Sequence, residues 1–376
     1  MSPTETTPPP PSREATPAER SILSHPDQRT SWIVVMTAAL AEPMPEMPEL
    51  FARRLEAIGE VTPIVRGRWR DGRWHFTDPP APVVVDGDPL RHPGLLVRFA
   101  PDREAPVRVV LDSSGRRLAL AAHHAALDGR AMLAVIGGLL GEPMPRPAGP
   151  GAGRRARPSL RLPLTRLLAP ADRVAPSAPP AAQESFAVRE VTLQPPNITG
   201  KLAAAAAAAA AARNARLGWR WQRVGLTVAV GGPPAVGNVA SHRRLDLTPG
   251  DAIAVAVQEA LRADDVPPET AYASRSLRLL SPIVERFSDS LLISNLGRAA
   301  LPGLERLTLF PVPRGRSAVA IGAAAVPAGR STVSLRARDL DQADAEALLA
   351  DIARRLHAGD AGSNQIPGTP ADRRRA

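Results

Sequence analysis

The chain has 376 residues, enough for two lobes that each bury a core, and with only 3% aromatic residues that core is aliphatic. It holds no cysteine, which excludes a disulfide, a thiolate metal site and a cysteine nucleophile and suits a reducing, cytoplasmic setting. The net charge is +10, yet residues 141–183 carry seven arginines against Glu142 and Asp172, so half the excess lies in a Pro-rich connector; with no interleaved aromatics on the folded parts, this argues against a nucleic-acid partner.

Residues 1–27 are rich in Pro, Thr and Ser with no apolar h-region, so they read as a disordered tail and not as a secretory signal. A first lobe is expected over 28–140. It opens with the strand Trp32-Ile33-Val34-Val35-Met36. Leu50, Phe51, Leu55 and Ile58 follow at helical spacing, with Gly59 as the expected C-cap. Val61–Trp69 and Trp74–Phe76 read as short strands around Asp71-Gly72, and Leu95–Phe99 and Val107–Leu111 as further strands. Asp112-Ser113-Ser114-Gly115 then turns the chain into Leu118-Ala119-Leu120-Ala121-Ala122. After it come two adjacent histidines, an Asp-Gly pair, and the broad apolar helix face of Met132, Leu133, Val135, Ile136, Leu139 and Leu140, weakened by Gly137 and Gly138.

Residues 141–183 read as a linker whose one apolar cluster, Leu160–Leu168, is expected to dock back on its own protein. The second lobe is expected over 184–358, starting with the strand Phe186–Leu193. Lys201–Ala212 is a strong helix former, and its small side chains predict close packing on a neighbour. Val224–Val230 is a strand, and Gly231-Gly232-Pro233-Pro234 a loop that leads to Val236-Gly237-Asn238. Pro249–Leu261 is a helix, and Leu291-Leu292-Ile293 a strand ending in Ser294-Asn295-Leu296-Gly297. Leu304–Phe310, Ala318–Ala324 and Thr332–Arg336 read as a meander, Asp341–Leu356 as an amphipathic helix, and 359–376 as a second tail. Both halves mix helices and strands, which predicts an α+β (mixed α/β) protein of two lobes. No stretch has the length and apolarity of a membrane span, so no integral membrane association is expected.

Several chemistries find no motif. There is no Gly-x-Ser-x-Gly elbow and no Gly-Lys-Ser/Thr phosphate loop, and Gly149-Pro150-Gly151-Ala152-Gly153 follows no strand. Adjacent His123 and His124 lack the spacing of zinc ligands on one helix face, so no metal is expected. His25, His75, His92 and His357 fall in tails or turns, and His242 reads as a surface or interface histidine. What stands out is His123-His124-Ala125-Ala126-Leu127-Asp128-Gly129, placed where a buried strand ends and a helix begins. A rigid scaffold there presents a loop side chain, a common setting for catalysis.

This His-His-x-x-x-Asp-Gly stretch resembles the signature of the condensation-domain and chloramphenicol-acetyltransferase-like superfamily, nearest to its wax-ester-synthase and polyketide-associated acyltransferase branches. Val236-Gly237-Asn238 and Ser294-Asn295-Leu296-Gly297 occur in the family's order, whereas the Asp-Phe-Gly-Trp-Gly element of many relatives is missing. The resemblance implies two acetyltransferase-like lobes in a V with a tunnel between them. It also implies an acyltransferase that moves an acyl group from a coenzyme A or carrier-protein thioester to a hydroxyl or amine acceptor, with no bound cofactor. His124 would be the general base, suited by an unperturbed pKa of about 6.5. Asp128 would hold the loop by a salt bridge. Gly129 would allow a tight turn where a Cβ would crowd, His123 would support, and Asn295 or Ser294 would line the tunnel or face the oxyanion. The arginine many members place near the Gly-Asn element to pair with the motif's Asp is absent from Val230–Pro234, which leaves Arg243 or Arg244 as substitutes. The basic linker, with Arg154, Arg155 and Arg157, would attract coenzyme A phosphates or an acidic carrier surface. The alternative is a member of the fold that has lost turnover and serves as a binding or interaction module.

Overall fold

The long apolar runs become strands because both of their faces are covered. The computed structural model describes residues 12–25, 29–44, 46–145, 168–193, 196–230, 236–263, 288–315, 318–327 and 330–363. The first half forms β1 (Ser12–Glu14), α1 (Pro17–Leu23), β2 (Ile33–Leu40), α2 (Met47–Val61), β3 (Gly67–Arg70), β4 (Arg73–Phe76), β5 (Val83–Val85), β6 (Val107–Asp112), β7 (Arg117–His123) and α3 (Gly129–Leu140). Along β2, Ile33 and Val35 enter one core with Ala119, Ala121 and Phe310, while Val34, Met36, Ala38 and Leu40 enter another with Phe51, Leu55 and Ile136. The strand's two-residue period therefore places apolar side chains on both faces.

The N-terminal tail reading is corrected over residues 12–23. Thr16-Pro17-Ala18-Glu19 is a capping box: the Thr16 hydroxyl accepts the Glu19 amide hydrogen, and the Glu19 carboxylate accepts the Thr16 amide hydrogen. Glu19 also accepts from the Arg13 guanidinium and the buried Trp74 indole. These bonds fix α1, and β1 pairs with β4 in a small sheet ordered β1-β4-β3. Two other expectations also change. Gly59 lies inside α2, whose C-cap is Thr62. Leu95–Phe99 is no strand, because Pro93–Leu95 turns as a 3₁₀ segment and then drops Leu95 and Phe99 into the core.

The second half forms β8 (Ser185–Val191), α4 (Ile198–Arg216), β9 (Val224–Val230), β10 (Ser241–Leu247), α5 (Ile253–Arg262), β11 (Leu291–Arg298), β12 (Leu304–Phe310), β13 (Val319–Ala325), β14 (Ser331–Ala337) and α6 (Gln342–Ser363). A six-stranded sheet runs β10-β9-β11-β13-β14-β8, with α4, α5 and α6 packed over a shared core. The alanine run of α4 approaches α5 closely, as expected. A Cβ on Gly200 would come within 2.5 Å of the Ala254 carbonyl oxygen.

The expected meander is corrected, and with it the boundary between lobes. Only β13 and β14 form a hairpin; β12 crosses to the first half and pairs antiparallel with β2, giving a five-stranded sheet β12-β2-β7-β6-β5. Buried Arg336 of β14 adds a second tie, donating to the Ile33 carbonyl and the Ser31 hydroxyl while Glu184 balances its charge. The linker's residues 146–167, which hold most of the Leu160–Leu168 cluster, lie outside the described residues. Leu168 itself is 84% exposed, while Val174 and Ala175 are buried, with the Ala175 amide bonded to Asn214 of α4. Among the described residues no helix is long and apolar enough to cross a membrane.

Candidate active site

The end of β7 delivers the two histidines to opposite tasks. The His123 amide bonds to the Pro106 carbonyl and the His124 amide to the Trp32 carbonyl, at 2.8 and 2.7 Å. His123 points inward, 6% exposed, edge-on to Phe99, and its Nδ1 accepts the Ala125 amide hydrogen at 3.2 Å. Burial, then the Arg98 charge, pulls it down to about 4, so it is neutral at pH 7. His124 faces a cavity. Its Nδ1 lies 3.4 Å from the Leu127 carbonyl oxygen. Because a carbonyl only accepts, Nδ1 carries the hydrogen and Nε2 keeps the lone pair that a base needs. Burial first, then the charges of His242, Arg314 and His123, lower His124 to about 3, against the raising effect of the Leu127 contact.

Asp128 caps α3, accepting the Ala131 amide hydrogen at 2.9 Å through Oδ1. Its other oxygen accepts the amides of Val239 and Ala240 at 3.0 and 2.8 Å, and its own amide donates to the Gly237 carbonyl. The expected salt bridge is thus corrected. The partner of Asp128 is the backbone that follows Val236-Gly237-Asn238, where two consecutive amides converge on one oxygen. Arg243 donates to the Ala263 carbonyl and Arg244 pairs with Asp289, so neither takes the substitute role. Burial raises the Asp128 pKa and the backbone amides work against that rise.

Gly129 has no left-handed backbone; it matters for space instead. A Cβ there would sit 3.0 Å from Cδ2 of Leu296 and 3.7 Å from Leu309. Leu296 belongs to the Ser294-Asn295-Leu296-Gly297 element of β11, so the two motifs touch. Along β11 the side chains alternate. Ser294 lines the cavity with His124, whereas Asn295 donates to the Thr199 hydroxyl at 3.0 Å and accepts the Gly297 amide at 2.9 Å. Asn295 therefore secures the strand end against α4 and does not line the cavity.

The cavity lies between the two sheets and has a volume of about 50 Å³, room for a few waters. Val34 of β2 and Leu309 of β12 line it from one sheet, and Ala229, His242 and Ser294 from the other. His242, read from the sequence as a surface or interface histidine, is a wall of the same cavity as His124. Arg314, in the segment after β12, is a wall residue that sequence reading missed. Trp32 and His25 were missed too: the His25 ring lies 4.8 Å from Trp32, which stacks on His124 at 6.5 Å. Their one legible signal is an aromatic residue at the mouth of a buried strand. Among the described residues, no three His, Asp or Glu side chains gather within reach of one metal ion.

Known structures share this architecture. The starter condensation domain of rhizomide synthetase, in complex with C8-CoA and Leu-SNAC, superposes with a TM-score of 0.62 at 14% identity, over 92% of this chain and 93% of that one. The epimerization domain from the third module of tyrocidine synthetase B gives 0.56 at 12% identity over 94% and 98%. Polyketide synthase associated protein 5 from Mycobacterium tuberculosis gives 0.56 at 14% identity over 92% and 97%. No family model matches the chain, and no curated protein matches it in sequence. At these identities the likeness is one of fold: the chain has the fold of the condensation-domain and chloramphenicol-acetyltransferase-like superfamily.

Proposed function

We propose that the chain is an acyltransferase that moves an acyl group from a pantetheine thioester, carried by coenzyme A or by a carrier protein, to a hydroxyl or amine acceptor. The observation that carries this reading is His124 at the cavity wall, with Nδ1 committed to the Leu127 carbonyl and Nε2 left as the acceptor. As the acceptor's oxygen or nitrogen attacks the thioester carbonyl, Nε2 takes its proton and a tetrahedral oxyanion forms. Collapse breaks the C–S bond, and the departing thiolate takes the proton from His124, which returns to its neutral form. No acyl-enzyme is needed. Ser294 Oγ is the cavity-facing hydroxyl suited to the oxyanion, and Asp128 and His123 hold the loop. The C8-CoA bound to the rhizomide synthetase domain supports an acyl-coenzyme A donor here. In the cysteine-free chain this chemistry suits a cytoplasmic setting.

The tight cavity favours one other reading, a binding module on the same fold, since about 50 Å³ must widen before a thioester can enter. Mass spectrometry of products from C8-CoA and a panel of hydroxyl and amine acceptors separates the two. Turnover that His124→Ala abolishes, with the circular dichroism spectrum unchanged, supports the enzyme. Turnover unaffected by that change rejects the mechanism, and no transfer to any acceptor favours the module.

A further inference from the structure

We propose that Arg336 of β14, which does not line the cavity, is a positioning residue for His124 and acts through Trp32; the proposal rests on the acyl-transfer reading above. Arg336 is 0% exposed. Its guanidinium reaches the stretch that leads into β2 at two points. One nitrogen donates to the Ile33 carbonyl and another to the Ser31 hydroxyl, the latter at 3.2 Å. Trp32 stands between them. Arg338 donates to the Thr30 hydroxyl at 3.0 Å, and Asp339 pairs with Arg29 at 3.0 Å, so the end of β14 and the residues after it grip 29–33 in antiparallel order. Glu184 accepts from Arg336 Nε at 2.8 Å and balances the buried charge. A guanidinium holds several acceptors at once in one plane, which an ammonium on a flexible stem cannot reproduce.

What the two anchors hold is a strained backbone. Trp32 has a φ of +55°, a conformation that an L-residue leaves for the extended region unless its surroundings fix it. The Trp32 carbonyl accepts the His124 amide hydrogen at 2.7 Å, and its ring stacks on His124. Relaxation of Trp32 would turn the carbonyl and the ring away from His124 together. Arg336 opposes that relaxation by fixing the residue on either side. The histidine motif is local to β7 and α3, yet the aim of its base is thereby tied to the seating of β14 against β2. A small misplacement of Nε2 from the acceptor's proton is costly, because transfer needs the reacting atoms held in line.

NMR of the histidine ring signals in the full chain, with no donor present, tests this; His124→Ala assigns the His124 signals, on which the Trp32 ring current acts. Arg336→Lys keeps a positive charge beside Glu184 and loses the planar fork. Ser31→Ala removes one anchor and leaves Arg336 in place. Both shift or broaden the His124 signals and leave those of His75, on β4, where they are. Ser31→Thr keeps the hydroxyl and the wild-type signals. With C8-CoA and an acceptor, kcat falls about tenfold in Arg336→Lys and about threefold in Ser31→Ala, with KM nearly unchanged. His124 signals that stay in place in Ser31→Ala overturn the proposal, whether or not Arg336→Lys folds. A wild-type kcat in either folded variant, or a loss carried by KM, overturns it as well. Because the signals are read without turnover, a wild-type protein that transfers nothing defeats the acyl-transfer reading, whereas unmoved His124 signals defeat the positioning.

Discussion

The Trp32 carbonyl accepts the His124 amide hydrogen at 2.7 Å, and the two rings lie 25° from parallel. Trp32 holds a φ of +55°, a left-handed backbone that costs an L-residue roughly 1–2 kcal/mol. That cost is tolerated where the surroundings fix it, here between His25 and His124. Removal of the ring by Trp32→Ala is expected to destabilise the fold by about 3 kcal/mol in urea unfolding. It is also expected to lower kcat by about tenfold or more, with little change in KM, because His124 loses its support. Trp32→Gly removes more side chain but frees the backbone, so it is expected to unfold no more easily than Trp32→Ala, against the usual cost of glycine. A kcat equal to wild type in Trp32→Ala would remove Trp32 from the positioning of His124.

Asp128 does two separable jobs, and three replacements pull them apart. Asp128→Ala loses the helix cap, about 1 kcal/mol, and strands the amides of Val239 and Ala240, each about 1–3 kcal/mol. Asp128→Ser retains the cap alone. Asp128→Asn keeps the charge-free shape but turns an NH₂ toward two amide donors, so it is expected to cost nearly as much as alanine. The predicted order of urea stability is wild type, then Ser, then Asn and Ala together. Asparagine as stable as wild type would mean that the Val239 and Ala240 contacts contribute little.

The motif, its strand and its helix were legible because each is local: a continuous apolar run, an Asp-Gly step and a broad apolar helix face. The partner of Asp128 was not, because Val239 and Ala240 act through their amides, which every non-proline residue has. The position of β12 was hidden too, since nothing local in Leu304–Phe310 says which sheet the strand joins. Composition misread 12–23 by weighing its Pro, Ser and Thr and overlooking Thr16-x-x-Glu19, a local signal that was there to find. His242 differs again: amid Ser, Arg and Arg nothing local ties it to His124, and only the pairing of β10 with β9, which sets it opposite Ala229, brings it to the cavity.

The paired histidines also predict a pH dependence of stability. Unfolded histidine binds its proton near pH 6.5, whereas folded His123 does so at about 4 and His124 at about 3. Between those values the unfolded chain holds more protons, so stability rises with pH. The contribution is complete above pH 6.5 and is lost as pH falls toward 4 and then 3. Each group adds a slope of up to about 1.4 kcal/mol per pH unit. Over pH 5–6.5, above the ordinary carboxylate range, His123→Asn keeps an acceptor for the Ala125 amide and removes one titrating group. The unfolding free energy of that variant is expected to vary with pH less steeply than that of wild type. Identical slopes would show that His123 is not held neutral by the fold.

Two glycines give a last contrast, between a motif position and one outside any motif. At Gly129, in the first turn of α3, an added Cβ meets the tip of Leu296, which can rotate, and the backbone there is not left-handed. Alanine also favours a helix over glycine by up to about 1 kcal/mol. Gly129→Ala is therefore expected to stay within about 1 kcal/mol of wild type and to keep measurable turnover. Gly322 of β13 has no such room: a Cβ would come within 2.0 Å of the Leu309 carbonyl oxygen and 2.6 Å of Ser334 Oγ. Backbone cannot rotate aside. Leu309 sits on the crossed-over strand β12 and lines the cavity, so the clash pushes one sheet from the other at the site itself. Gly322→Ala is expected to cost about 3 kcal/mol or more in urea unfolding and to lower turnover further than Gly129→Ala does. The reverse order would mean that β12 moves freely against β13, and that the cavity between the sheets is not held at one width.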